Sequence, residues 1–351
     1  MIVEAFFKIL PALQLSDRSV RLAVLPGWGG KVSEIVDLRR QHQWLTENPV
    51  SPYRLPTYAS NYVRDFDVSG FDVKGFDECF PTVRACPYPA APWERAPVPD
   101  HGEVWSLPWS VQVNGGVLHV PTHGVRLPFR LEKTLRLLGN ATARFDYRAT
   151  NLSPFPMPFV LSSHPLLALR PGMVLSLPIT NLCVYSAPSF PALPGQVIPW
   201  PRFDDLDLSL VPPADAGLSA KLFSPPLTAG WADLADPVDG TQFRFEFDPA
   251  QVTHLGLWLN YGGWARLTGL APYYKLGLEP WIRRRTIGMS MGCYHPTEHG
   301  SGGSKWPSHD RRSYVSSAAC FSGVRAALWR TPGAGRTRTW AGQPDRRAHR
   351  L

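Results

Sequence analysis

The chain has 351 residues, 37 of them proline and 29 glycine, and a formal net charge of +8. About one position in five is therefore a breaker of regular structure, which leaves little room for long helices; hydrophobic residues at 44% and aromatics at 12% still supply a large core, which excludes a wholly disordered chain. The positive charge is concentrated at one end, where thirteen Lys and Arg between Arg283 and Leu351 meet only Glu298, Asp310 and Asp345, so the preceding residues are nearly neutral and call for no polyanionic partner.

Taken in order, Ser19–Leu25 and Lys31–Leu38 are short apolar-rich runs that read as strands, joined by the Pro- and Gly-rich connector Leu25–Gly30. A second connector spans Pro87–Pro99. Phe129–Leu138 mostly alternates between apolar and polar residues. In Ala141–Thr150 the alternation is complete: Ala143, Phe145, Tyr147 and Ala149 fall on one face, and Thr142, Arg144, Asp146 and Arg148 on the other. Phe243–Phe247 repeats the pattern, and His254–Leu259 is another apolar run. No helical pattern of about 10 to 15 residues separates these segments, so they predict an all-β, mainly antiparallel sandwich or barrel, with one large domain over residues 1–282.

The character changes at Arg283. From there to Leu351 the chain has six Leu, Ile, Val or Phe residues, too few for a core of its own, so 283–351 reads as a basic, non-globular tail. Its arginines are scattered rather than arrayed on a predicted element, which makes nucleic acid an unexpected partner. Cys293, His295, His299 and His309 match no standard zinc spacing, so no metal is expected. The five cysteines contain no C-x-x-C pair and signal no disulfide framework, in keeping with a reducing compartment. No run approaches about 18 apolar residues, and Glu4 and Lys8 interrupt the start, so the sequence predicts a soluble, cytoplasmic protein without a signal peptide.

Four segments place ionisable groups among apolar or turn residues: GFDECFPTV (Gly75–Val83), PDHGEVW (Pro99–Trp105), SSHP (Ser162–Pro165) and LGLEP (Leu276–Pro280). His164 follows an uncharged run and Glu279 ends a short apolar strand, positions where desolvation moves a pKa toward neutrality and suits a group for proton exchange. The competing reading makes His164 a hydrogen-bonded core histidine and Glu279 a strand-end carboxylate.

Together, in this order, the four segments and the opening strands RLAVLPGWGGKVSEIVDL resemble the aldose 1-epimerase or galactose mutarotase-like proteins, from about Arg21 to Pro280. The resemblance implies a single antiparallel β-supersandwich whose concave face holds a monosaccharide, a hexose or hexose phosphate. It implies that His164 is the general acid, Glu279 the general base and His101 a second active-site histidine, and that no cofactor is needed. Asp77 and Glu78 then become acceptors for sugar hydroxyls or, equally, turn caps. Trp105, Trp258 and Trp264 are candidates for stacking on a sugar, or core residues. Arg64, Arg84 and Arg126 are candidate phosphate contacts. Asp236 and Asp239 lie in the interval of a family aspartate but carry no motif that assigns them. The likeness ends at Trp281, where charge and apolar content also change, a coincidence that out-of-frame translation would produce. A carbohydrate-binding sandwich without catalysis is the alternative function.

Overall fold

The computed structural model describes residues 1–47, 56–59, 74–265, 273–284 and 318–330. Among them are twenty-four strands and two 3₁₀ turns, with no α-helix. The first layer begins with β1 (Ile2–Phe7), β2 (Leu10–Ser16), β3 (Val20–Leu25), β4 (Lys31–Asp37), β5 (His42–Gln43) and β6 (Phe76–Cys79). After the small hairpin β7 (Cys86–Pro87) and β8 (Pro97–Val98), the chain enters the second layer as β9 (Gln112–Asn114), β10 (Val117–His123), β11 (Phe129–Gly139) and β12 (Thr142–Asn151). It returns to the first as β13 (Phe159–Ala168), then alternates through β14 (Val174–Ser176), β15 (Asn181–Ser189) and β16 (Val197–Pro199). The hairpin β17 (Arg202–Phe203) and β18 (Leu206–Asp207) is followed by β19 (Leu218–Phe223), β20 (Trp231–Asp236), β21 (Thr241–Glu246), β22 (His254–Tyr261), β23 (Tyr274–Arg284) and β24 (Ala318–Arg330).

Twelve strands form one sheet, in the order β1-β2-β3-β4-β6-β13-β23-β22-β19-β15-β16 with β5 on β4, and eight form the other, β14-β20-β21-β24-β12-β11-β10-β9. Neighbours run antiparallel in both. The alternation read in Ala141–Thr150 is the reason for the layering: Ala143, Phe145, Tyr147 and Ala149 on β12 are buried toward the large sheet. Phe76 of the large sheet lies 5.3 Å from Phe145 of the small one, and Phe80 lies 4.7 Å from Phe129. The apolar faces of two sheets thus close on each other, as aligned sandwiches require.

One buried ionic cluster lies within this layer. Lys133 on β11 sits at an inward position of an otherwise apolar face, and its Nζ donates at 2.9 Å to both oxygens of Glu78 and at 2.7 Å to the Gly30 carbonyl. The Tyr147 hydroxyl donates to Glu78 at 2.8 Å. Complete burial pushes the Glu78 carboxyl up, and the Lys133 ammonium pulls it back.

The expected tail needs correction over part of its length. Residues 318–330 form β24, which pairs with β12 on one side and β21 on the other, inside the small sheet. Composition misled here because a strand does not need a core of its own. It has only to place alternate apolar groups into an existing one, as Ala326 and Leu328 do, both 3% exposed. Cys293, His295, His299 and His309 lie outside the described residues.

Candidate active site

The register of the large sheet assembles the site. Because successive side chains on a strand point to opposite faces, Phe76 and Glu78 face the small sheet, while Asp77 and Cys79 face away from it. Asp77 pairs with His164 across β6 and β13. On the other side of β13, the pairs Ser162↔Trp281 and Leu166↔Gly277 set His164 opposite Glu279. Glu279 in turn pairs with Gly256, and Gly256 with Phe223. Asp77, His164, Glu279, Gly256 and Phe223 therefore form one row across five strands on the outer face of the large sheet.

Along this row His164 stands between two carboxylates. Its Nδ1 is 3.2 Å from Asp77 Oδ1 and its Nε2 is 3.6 Å from Glu279 Oε1. Each ring nitrogen thus has a carboxylate oxygen beside it. Beyond Asp77 lies the buried Lys31, whose Nζ is 3.4 Å from Asp77 Oδ2 and 3.0 Å from the Lys74 carbonyl. Beyond Glu279 lies Lys221 of β19, whose ammonium contacts both carboxylate oxygens. The Trp281 indole donates to Glu279 Oε2 at 3.3 Å. A lysine thus closes the row at each end, Lys31 beyond Asp77 and Lys221 beyond Glu279, with His164 between the two carboxylates.

Burial alone would raise the Glu279 carboxyl, but the Lys221 ammonium foremost, and then His164, hold it below the usual carboxylate range. The expectation that desolvation moves Glu279 toward neutrality is reversed, because the sequence gives no sign that a lysine two strands away meets this carboxylate.

Room for Glu279 comes from two glycines. The segments Leu255-Gly256-Leu257 and Leu276-Gly277-Leu278 lie on adjacent strands, their leucines in the core and their glycines on the site face. A Cβ at Gly256 would stand 2.7 Å from Trp281 Nε1 and 3.0 Å from Glu279 Oε2, and one at Gly277 would stand 2.9 Å from Glu279 Oε1. Gly256→Ala is expected to displace the carboxylate while leaving the leucine packing intact. The checks are 13C NMR of the Glu279 carboxyl and a thermal melt: a displaced carboxyl resonance with a nearly unchanged melting temperature.

His101 comes from the loop between β8 and β9 and lies over the row, its ring 5.2 Å from the His164 ring in an edge-on arrangement. The loop is tightly constrained. His101 and Gly102 both have positive φ, and a Cβ at Gly102 would come within 2.1 Å of the Phe80 carbonyl oxygen. The amide of Glu103 donates to that same carbonyl at 2.8 Å. Burial pushes the His101 imidazole below its ordinary value, and Asp100, 3.4 Å away, offsets this in part.

The remaining sequence candidates divide. Glu78 is not on the site face: period two turns it into the core, where Lys133 and Tyr147 take its oxygens. Asp77 is on the site face, but its carboxylate is 2% exposed and engaged with His164 and Lys31, so its place is behind the histidine rather than open to a hydroxyl. Trp105, 1% exposed, is buried beneath its loop with its indole donating to the Asp100 carbonyl at 3.0 Å, so it supports His101 and presents no face for stacking. Trp258 is half-buried on the site face, opposite Gly277 and Lys221, and Trp264 packs edge-on against it.

Arg84 reaches the Tyr185 hydroxyl at 3.3 Å, and the Tyr185 ring lies against Phe223 at the end of the row. Arg126 is exposed, on the turn whose amides donate to Glu103. Arg64 lies outside the described residues. Asp236 and Asp239 gather with His42 at a spacing that would suit a metal ion, but the Arg170 guanidinium contacts all three, so the cluster already holds its cation.

No family model and no curated protein sequence matches the chain. Solved structures do. A galactose mutarotase-like protein from Clostridium acetobutylicum superposes with a TM-score of 0.62 at 13% identity, covering 94% of this chain and 99% of that one. A galactose mutarotase-like protein from Lactobacillus casei ATCC 334 gives 0.58 at 15% identity, over 91% and 100%. The Slr1438 protein of Synechocystis sp. PCC 6803 gives 0.58 at 19% identity, over 93% and 99%. The fold is therefore the galactose mutarotase-like β-supersandwich, as the resemblance in the sequence implies.

Proposed function

We propose that this protein is an aldose 1-epimerase-like isomerase that interconverts the anomers of a monosaccharide by acid–base opening and closure of the sugar ring. The observation that carries this reading is the 3.6 Å approach of His164 Nε2 to Glu279 Oε1, made by side chains from paired strands with His101 beside them. The anomeric hydroxyl and the ring oxygen share one carbon, so an acid and a base that serve both at once have to be close neighbours. In the forward step Glu279 accepts the anomeric proton while His164 gives one to the ring oxygen. The C–O bond of the ring breaks, and the free aldehyde forms. Rotation about the first carbon–carbon bond and reclosure with the two roles exchanged yield the other anomer.

The electrostatics support these roles. Lys221 favours the charged, proton-accepting form of Glu279, and Asp77 holds His164 Nδ1 so that Nε2 is presented toward the reacting oxygens. Trp258, half-buried one pair along from Glu279, supplies an aromatic face to a sugar ring in this place.

The test is anomeric exchange of glucose, galactose and their 6-phosphates followed by NMR with the purified full chain. The expected result is acceleration above the buffer rate for at least one sugar. Binding of a sugar without acceleration would replace this reading with a non-catalytic carbohydrate-binding sandwich.

A further inference from the structure

Lys221 belongs to none of the four sequence segments, yet it contacts both carboxylate oxygens of Glu279. It lies on β19, separated from β23 by β22, and its side chain crosses over the strand that carries Gly256 to reach both oxygens of Glu279. Gly256 leaves the carboxylate room at this crossing, since a Cβ there would stand 3.0 Å from Glu279 Oε2. The ammonium is enclosed by aromatic rings, 5.5 Å from the centre of Phe223 and 6.0 Å from that of Trp281, and its side chain is 18% exposed. Contacts of this kind favour a cation that has given up much of its water.

We infer that Lys221 is a positioning residue for the acid–base pair: it grips both oxygens of Glu279 and holds that carboxylate facing His164, ready to accept a proton. The inference rests on the proposed isomerase reading for its role in turnover, but the grip itself is a property of the protein without any sugar. With Lys221 fixed to both oxygens, Glu279 cannot rotate away when a sugar enters. The Trp281 indole on Oε2 and His164 near Oε1 complete the enclosure.

Other charged or titratable groups face Glu279 from the surrounding elements: His164 on β13 with Asp77 of β6 behind it, Cys79 of β6, His101 on its loop, His254 on β22 opposite Trp281, and Lys275 on β23 itself. Among the leading influences, His164 and His101 join Lys221 in lowering the carboxyl, and Lys221 leads. An opposite charge at such range displaces a carboxyl by about 1–3 pH units. Removing the ammonium takes away the strongest opponent of burial, so the midpoint rises.

The experiment is a 13C NMR titration of the Glu279 carboxyl in protein labelled at glutamate Cδ, with Glu279→Gln assigning the resonance. In wild type the midpoint is expected below that of an ordinary glutamate. In Lys221→Met it is expected to move up by about 1–3 units, while Lys221→Arg keeps it low. Lys221→Gln serves the same purpose as the methionine variant should that one fail to fold. An unchanged midpoint in the neutral variants overturns the inference, whether or not the protein turns over a sugar. If anomeric exchange is catalysed, the acidic limb of its kcat/KM profile is expected to move up with the NMR midpoint in Lys221→Met. A uniform fall in rate at every pH without that displacement would mark Lys221 as merely structural and also overturn the inference. Absence of exchange in wild type, with the midpoint displaced as expected, would refute the isomerase reading and leave the grip standing.

Discussion

Lys133→Ala is expected to lower the unfolding free energy by about 3–5 kcal/mol, because it strands the Glu78 carboxylate in a fully buried layer. Neither side chain of the pair has any solvent exposure. Taking two charges out of water is costly, and Lys133 offsets that cost for Glu78 through two hydrogen bonds at 2.9 Å. With the ammonium gone, the carboxylate has only the Tyr147 hydroxyl among the contacts of this cluster, and the Gly30 carbonyl loses its donor. Lys133→Met with Glu78→Leu is expected to recover much of the loss, since apolar groups of similar volume can replace a buried ion pair at little cost. Recovery stays incomplete, because the Tyr147 hydroxyl and the Gly30 carbonyl remain without these partners at about 1–3 kcal/mol each. Chemical denaturation of the two single variants and the double variant gives the answer. A single-variant cost under about 1 kcal/mol would mean that water reaches the pair and that this layer is not dry.

The same cluster shows how far the sequence could be read. The strands were legible because period two is written plainly into β11 and β12, and the faces expected for Ala143, Phe145, Tyr147 and Ala149 are the buried faces observed. Lys133 was also visible in principle. It falls at the inward phase of Phe129, Leu131 and Leu135, and a lone lysine on an apolar phase implies a buried acidic partner. The pairing Asp77-Glu78 held a similar signal: adjacent residues on a strand cannot face the same site, so at most one of them belongs beside His164. Lys221 and Lys31 were not recoverable in this way, because their partners lie on strands distant in sequence and the register joining them is a property of the folded sheet. The likeness of the opening strands and the four segments led to His164, Glu279 and His101, and the fold brings those three together, with Asp77 beside them. Trp105 misled for a physical reason, since an indole can serve a loop by its N–H as well as a sugar by its face.

His164→Ala and Glu279→Gln are each expected to reduce kcat/KM for anomeric exchange by roughly 10²–10⁴-fold, the usual worth of a well-placed acid or base. The fold should survive both changes. Loss of the imidazole leaves Asp77 paired with Lys31, and Glu279→Gln keeps a carbonyl oxygen for Lys221 and Trp281. A comparable melting temperature would therefore place the loss in the chemistry. The double variant is expected to fall little further than the worse single one, because acid and base act in one ring-opening event and either deletion already disables it. Multiplication of the two losses would indicate independent contributions and argue against a concerted transfer across the 3.6 Å pair. Retention of wild-type exchange within about threefold in both single variants, against the 10²-fold minimum expected of a true acid or base, would remove these residues from the chemistry altogether. The row from Lys31 to Lys221 would then be a buried polar network on the outer face of the large sheet that transfers no proton.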